Sequence, residues 1–128
     1  MAVKTENDHG SIVISNNVIS RIAGATATTC YGVVGMAYKN ASDSIASLLK
    51  WDNITKGIKV TTDNDKIDID LHIIVEYGIN IKVISESIIN NVRYTVENMT
   101  GFKVGKVTIN VEGIRIDWLG GRIYWYIQ

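Results

Sequence analysis

The stretch INIKVISESIINNVRYTVENMT, residues 79–100, decides the fold of this chain. Its apolar residues recur at steps of three and four, which forms a single stripe along an α-helix. A helix with one apolar stripe packs it against another layer, and Gly101 supplies the left-handed residue with which helices commonly end. The sequence therefore predicts a helix from about Ile79 to Thr100 that lies on a sheet. The stripe consists of Ile81, Ile84, Ile88, Val92, Val96 and Met99.

Alternating segments flank this helix and supply the sheet. Lys66–Tyr77 places five apolar residues on one face and Asp68, Asp70, His72 and Glu76 on the other. Gly57–Thr62 precedes it across a polar turn, which predicts a hairpin. Phe102–Ile116 predicts a further strand, in which Gly113 shifts the apolar phase and indicates a bulge.

The N-terminal part of the chain predicts smaller elements. Gly10–Ile14 reads as a short strand, and capping residues then lead into a helix over Val18–Cys30 that ends near Gly32. Val33–Lys39 predicts a strand and Ser42–Trp51 a second, shorter helix. The fold class is therefore α+β, in the order β-α-β-α-β-β-α-β, with helices packed on one face of a mixed sheet. The predicted domain spans residues 10–116, between a flexible N-terminal arm, 1–9, and an aromatic C-terminal tail, 117–128.

Composition bounds the function classes. At 128 residues, the chain fits a single core. Thirteen basic and thirteen acidic residues cancel, which argues against general nucleic-acid binding. One cysteine, Cys30, and a polar N-terminus without a signal-peptide pattern predict a cytoplasmic protein. No apolar run reaches the roughly 20 residues that span a bilayer, so we expect membrane contact to be peripheral at most.

Two polar groups are candidates for metal binding. The acidic turn around Asp63 and Asp65 lacks the glycine and the closing glutamate of a calcium loop. Asp68, Asp70 and His72 share a strand face, but their spacing along one strand favours a ladder of side chains over a cage. We expect both groups to be solvated surface, with no metal and no cofactor; the alternative is an enzymatic metal site on that face.

The sequence contains little evidence for a catalytic or nucleotide-binding motif. Cys30 lies on the predicted buried face of a helix without a neighbouring base, and no nucleotide-binding glycine motif occurs. Gly32-Val33-Val34-Gly35 matches the GxxG letters of the KH RNA-binding loop, although its middle residues are valines. A non-enzymatic protein is the prediction, and a KH-like RNA-binding module that uses Gly32–Gly35 is the alternative.

The tail DWLGGRIYWYIQ, residues 117–128, is unusually aromatic for a domain end. Such a segment is typical of membrane interfaces and protein contacts. Two interpretations stay open: an extra strand that packs on the domain, or an intermolecular contact. The candidate interaction residues are Trp118, Leu119, Ile123, Tyr124, Trp125 and Tyr126.

Five short stretches in a fixed order carry a family resemblance. They lie at residues 10–24, at 30–37 (CYGVVGMA), at 73–78, at 96–101 and at 107–114. Together they resemble the alkaline shock protein and general stress protein family of Gram-positive envelope stress proteins, most closely its YloU-like branch. The shared motif residues are Gly10, Gly24, Tyr31, Gly32, Gly35, Tyr77, Gly78, Thr100, Gly101 and Gly113.

The resemblance implies a function, which the composition alone does not indicate. It implies an envelope stress or lipid homeostasis protein that acts as a self-associating scaffold or adaptor. It also implies a homo-oligomer with a protein partner, either a membrane anchor or a fatty-acid-kinase-like protein, at the inner face of the membrane. The family offers no catalytic residue to carry over, and the motif looks structural.

Overall fold

The computed structural model describes residues 2–37, 57–63, 65–117 and 123–127. They form one α+β domain, as predicted. Its elements are β1 (Ala2–Asn7), β2 (Gly10–Ser15), α1 (Asn16–Thr29), β3 (Val33–Met36), β4 (Ile58–Asp63), β5 (Lys66–Glu76), α2 (Ile81–Thr100), β6 (Lys103–Asp117) and β7 (Ile123–Ile127).

Strand β5 is the centre of the main sheet. It pairs in parallel with β6 along its whole length, and on its other side it pairs antiparallel with both β3 and β4. The backbone of His72 joins these two: its C=O accepts from Ala37 N–H, and its N–H donates to the C=O of Gly57, both at 2.8 Å. Strands β3 and β4 therefore continue one another along one edge of β5.

The core lies between the sheet and the two helices. The five alternate apolar residues of β5 are buried against α1 and α2, which confirms the predicted face. Helix α2 buries Ile88, Val92 and Val96, the middle of its predicted stripe, whereas Met99 is exposed. Its N-cap is Asn80, whose side chain accepts from Val83 N–H, and it ends at Gly101 in the left-handed conformation.

Two bulges interrupt the pairing of β5 with β6. One lies at Gly105, between Val104 and Lys106, and the other at Glu112, next to Gly113. The second confirms the bulge that the phase shift at Gly113 predicts. At the bulge at Gly105, the Oδ1 atom of Asp68 accepts a hydrogen bond from Lys106 N–H at 3.0 Å.

The N-terminal segment differs from its prediction. Where the sequence predicts a flexible arm over residues 1–9, the structure has strand β1 in a two-stranded hairpin with β2. The side chain of Asn7 accepts from His9 N–H and Gly10 N–H, which fixes the turn. Val3 is buried in the core and ties the hairpin to the domain.

One predicted element falls outside the described residues, namely the helix over Ser42–Trp51. The boundaries of the predicted domain and tail likewise stay predictions. Part of the predicted tail, Ile123–Ile127, forms β7, which pairs antiparallel with the last residues of β6.

Candidate interaction surfaces

Two turns that the sequence singled out meet at one end of the sheet. The C=O of Gly32, after α1, accepts from Glu76 N–H at 2.9 Å, and the next residue, Tyr77, donates its N–H to Arg115 O at 3.0 Å. Tyr31 is 78% exposed and Tyr77 is 71% exposed. We call the surface formed by Tyr31, Tyr77 and Ile81 the tyrosine end. It presents two large aromatic rings to solvent next to the start of α2.

Glycine at position 32 is a conformational requirement of this end. Its φ is +87°, in the region that L side chains rarely adopt. A Cβ here would also lie 2.9 Å from Ile79 Cδ1. The backbone angle and the close approach of Ile79 therefore both favour glycine at this position.

The remaining motif residues occupy three other places. Gly35 and Gly113 flank buried Ile74 from β3 and β6, one on each side. Gly24 is buried within α1. Gly10 belongs to the hairpin of β1 and β2, and Thr100 and Gly101 line a cavity together with hairpin residue Ile12. The structure thus brings together Tyr31, Gly32, Tyr77 and Gly78, but it does not bring all ten residues into one site.

The hairpin of β1 and β2 forms a second surface. Ile12 is 60% exposed and Val13 is 58% exposed, on opposite faces of β2. Beneath the hairpin lies an open cavity of about 540 Å³, bounded on one side by Thr5 and Ile12 and on the other by the end of α2 and the start of β6. The two surfaces, hairpin and tyrosine end, expose large apolar side chains at opposite ends of the domain.

The sheet face away from the helices carries the polar residues of β5 and β6. His72 Nδ1 lies 2.9 Å from Glu112 Oε1, and its Nε2 lies 3.9 Å from Asp70 Oδ2. Asn110 on β6 donates to Asp70 on β5, so hydrogen bonds connect the polar side chains of the two strands. Over the described part of the chain, no three acidic, histidine or cysteine side chains converge as metal ligands would. The arrangement is a cross-strand network on an open surface.

The Gly32–Gly35 segment does not have the geometry of a KH loop. That loop joins two helices and offers exposed backbone to phosphates. Here Val33–Met36 form β3, and Gly35 pairs with Ile74 inside the sheet. Because the backbone of this segment pairs with β5, the structure does not support the RNA-binding alternative.

Cys30 directly follows α1 and is half-buried. Its thiol donates to Thr26 O at 3.4 Å, and Asn91 donates to its sulfur at 3.6 Å. Neither neighbour is a base that would generate a thiolate. The residue contributes to helix packing, next to α2.

The predicted interaction residues of the tail divide into two groups. Ile123, Tyr124, Trp125 and Tyr126 lie in β7, as in the extra-strand interpretation. Trp118 and Leu119 lie outside the described residues. The chain leaves β6 at Asp117, two residues after Arg115, whose C=O accepts from Tyr77 N–H. The tail therefore begins at the tyrosine end.

Neither α1 nor α2, the two helices that the structure describes, has the length and apolar content needed to cross a membrane.

Sequence reasoning missed the hairpin as a surface. Its signal was available in Asn7-Asp8-His9-Gly10, a run of turn-forming residues between two short alternating segments. Hydrophobic periodicity could not reveal β1, because Val3 is the one buried residue of this strand.

Comparison with known proteins adds the family context. The model of the family of alkaline shock protein 23, with a cell envelope-related function, matches residues 4–116. The chain is 38% identical over 117 residues to the uncharacterized protein YloU of Bacillus subtilis, covering 91% of this chain and 98% of YloU. It is 34% identical over 117 residues to the uncharacterized protein Spy1614 of Streptococcus pyogenes, covering 91% and 97%.

A further relative is the uncharacterized protein YqhY of Bacillus subtilis, 34% identical over 113 residues, with 88% of this chain and 83% of YqhY covered. No solved structure matches the chain.

Proposed function

Because this chain belongs to the family of alkaline shock protein 23, whose function is cell envelope-related, we propose that it is a non-enzymatic, self-associating scaffold or adaptor of the envelope stress response. It binds a protein partner, a membrane anchor or a fatty-acid-kinase-like protein, at the inner face of the membrane.

One observation carries this proposal: large apolar side chains are exposed at each end of the domain, as well as along α2. Ile12 and Val13 mark one end, and Tyr31 and Tyr77 mark the other. Tyrosine is enriched in protein contacts. Two separate surfaces suit a protein that joins copies of itself to another component.

The polar groups of the described residues support a binding role over a catalytic one. Across β5 and β6, His72 pairs with Glu112 and Asn110 donates to Asp70. The neighbouring cavity, of about 180 Å³, is an open depression between β4, β5 and β6. Enzymes instead converge their polar groups in an enclosed pocket.

We assign the tyrosine end, with the tail residues Trp118 and Leu119 that follow β6, to the partner. Tyrosine and tryptophan provide large contact areas with little loss of side-chain entropy. This assignment leaves the hairpin for contacts between copies.

Affinity capture of the tagged full-length protein from its own cells tests the proposal. We expect defined envelope-associated proteins to be recovered despite nuclease treatment. A double variant, Tyr31→Ser with Tyr77→Ser, should lose these proteins, whereas Tyr94→Ser, which alters a comparably exposed tyrosine in the middle of α2, should retain them. Recovery that requires nucleic acid, or that survives the double variant unchanged, would contradict the proposal.

A further inference from the structure

We propose that a second copy of this chain docks along the edge of β2 that no described strand pairs with, so that two hairpins form one four-stranded antiparallel sheet about a two-fold axis at Val13. The inference rests on the self-association in the proposed function and names its surface and its occupant. The mode of recognition is strand addition, in which backbone hydrogen bonds join two exposed strand edges.

The register of the hairpin decides which backbone groups of β2 are free. Asn7 pairs with Gly10 across a two-residue turn, and such a closing pair exchanges hydrogen bonds. Bonded pairs alternate along an antiparallel ladder, so Ile12 and Ile14 direct their N–H and C=O groups toward β1. Alternate residues direct theirs to the opposite edge, and all of them are exposed, although the C=O of Ser15, the N-cap, already accepts the first hydrogen bond of α1. These outward residues are Ser11, Val13 and Ser15.

This outward set is complementary to itself. A two-fold axis through Val13, perpendicular to the sheet, places Val13 of the two copies opposite each other and Ser11 of each copy opposite Ser15 of the other. The two Val13 residues then exchange a pair of hydrogen bonds, and the C=O of each Ser11 accepts from the Ser15 N–H of the other copy. On the inner face, Ile12 of one copy lies opposite Ile14 of the other, which covers an exposed isoleucine. Such an isologous contact closes as a dimer.

The charges favour β2 over the other edge of the hairpin. Strand β2 has no charged residue, so no like charges oppose each other across the axis. The outward residues of β1 include Lys4 and Glu6, which are exposed and form an ion pair at 2.9 Å. Charged residues on an edge strand prevent strand addition, whereas an uncharged, β-branched edge permits it.

The main sheet shows how this protein protects an edge. Asn16 donates from its side chain to Val60 O on β4 at 3.2 Å. On β6, Arg93 donates to Val104 O at 2.9 Å, and the Glu97 carboxylate accepts from Val104 N–H at 2.9 Å. Side chains from the helices thus occupy outer backbone groups of β4 and β6. Strand β2 instead presents Ser11, Ile12 and Val13 to solvent.

The contact is small, and this sets its strength. Pairing two six-residue strands buries far less than the roughly 1,200 Å² of a standard stable interface. We therefore expect a weak dimer whose population rises with protein concentration in the micromolar to millimolar range. A strand from an unrelated protein could form hydrogen bonds with the same backbone groups, but that complex would not place Val13 on a two-fold axis.

Sedimentation velocity of the full chain across this concentration range tests the pairing. Val13→Glu places two like charges opposite each other at the axis, while Lys4 opposite position 13 within the hairpin keeps β1 and β2 paired. We expect the dimer dissociation constant to rise at least about tenfold. Val83→Glu is the matched control, because Val83 in α2 is 56% exposed, and it should leave the dimer unchanged.

A charge exchange tests the two-fold axis itself. The double variant Lys4→Glu with Val13→Lys reverses the charges of the hairpin and keeps them matched within each copy. Alone it should also be monomeric, and mixed in equal amounts with Val13→Glu it should form a one-to-one dimer at least as tight as the wild type. Circular dichroism confirms that each variant is folded.

The outcomes separate this inference from the proposed function. If the wild type associates and Val13→Glu associates equally well, the β2 edge is not the interface, although self-association stands. If Val13→Glu is monomeric but the charge-exchanged mixture does not associate, the two-fold pairing is wrong. A wild type that is monomeric throughout contradicts both proposals.

Discussion

At the scale of single residues, glycines fix where the chain can turn, and their roles differ even at equal backbone angles. Gly57 and Gly101 both have φ of +77°. A Cβ at Gly101 would meet nothing within 4 Å, whereas a Cβ at Gly57 would lie 2.1 Å from Ala37 O. The first glycine is needed for its conformation alone, and the second also lets β3 and β4 meet beside His72.

This pair yields a matched prediction. Gly101→Ala should lower the free energy of unfolding by about 1 kcal/mol, the cost of a left-handed alanine. Gly57→Ala should lower it by at least about 3 kcal/mol, because a backbone carbonyl cannot move aside as a side chain can. Urea denaturation of the two variants measures the difference. Equal losses would show that the close approach to Ala37 does not exist in solution.

Arg93 is a residue whose role periodicity alone could not show. It lies in α2 and donates to Val104 O and Gly105 O, at 2.9 and 3.3 Å, where β6 bulges. Arg93→Met keeps the aliphatic stem but removes these bonds, so we expect a loss of about 1 to 2 kcal/mol in unfolding free energy. Lys82→Met, at an exposed position of the same helix, should cost less than about 0.5 kcal/mol.

Secondary-structure elements divide into those that the sequence predicts and those that it does not. Helix α2 was predictable because its stripe, N-cap and terminal glycine agree with one another. Strand β5 was predictable because five apolar residues alternate without interruption. Strand β1 was not, since its pairing depends on the turn at Asn7 and on the single buried side chain of Val3.

The same limits apply to the candidate surfaces. The family resemblance included Tyr31, Gly32, Tyr77 and Gly78 among its motif residues, but only pairing between elements shows that the two turns meet. The sequence also did not show that Ile12 and Val13 are exposed, because alternation along a strand does not show which edge of the strand is left without a partner. Long-range register is a property of the folded sheet, and local pattern does not determine it.

The packing of α2 gives a prediction at the scale of the element. Ile88 is fully buried between the sheet and α1, whereas Ile81, in the first turn of the same helix, is 40% exposed. Ile88→Ala should cost about 3 kcal/mol, through lost burial and the cavity left behind, and Ile81→Ala less than about 1 kcal/mol. Chemical denaturation of both variants gives the comparison. Similar costs would contradict the position of the apolar stripe.

At the scale of the whole molecule, the domain presents two different apolar surfaces at opposite ends of one sheet. The hairpin offers backbone groups and β-branched residues that suit a second copy, and the tyrosine end offers aromatic rings beside the start of the tail. A scaffold that links copies of itself to an envelope component requires such a separation, because the two contacts must form at the same time. The polar face between them carries Asp70, His72 and Glu112.

This arrangement predicts that the two contacts are independent. Val13→Glu should weaken association between copies without reducing capture of partner proteins, and the Tyr31→Ser, Tyr77→Ser variant should do the reverse, because no residue is shared between the surfaces. Sedimentation and affinity capture of both variants provide the test. A variant that abolishes both properties while remaining folded would indicate a single shared surface.

The central claim is that this protein works as an assembly at the cell envelope, and the most direct measurement is the size of its native assembly. Nuclease-treated extracts of its own cells, separated into soluble and envelope fractions, would be resolved by size-exclusion chromatography. We predict that the protein elutes well above the size of its 128-residue monomer, together with envelope components. Elution as a free monomer from the soluble fraction at its natural abundance would contradict the account.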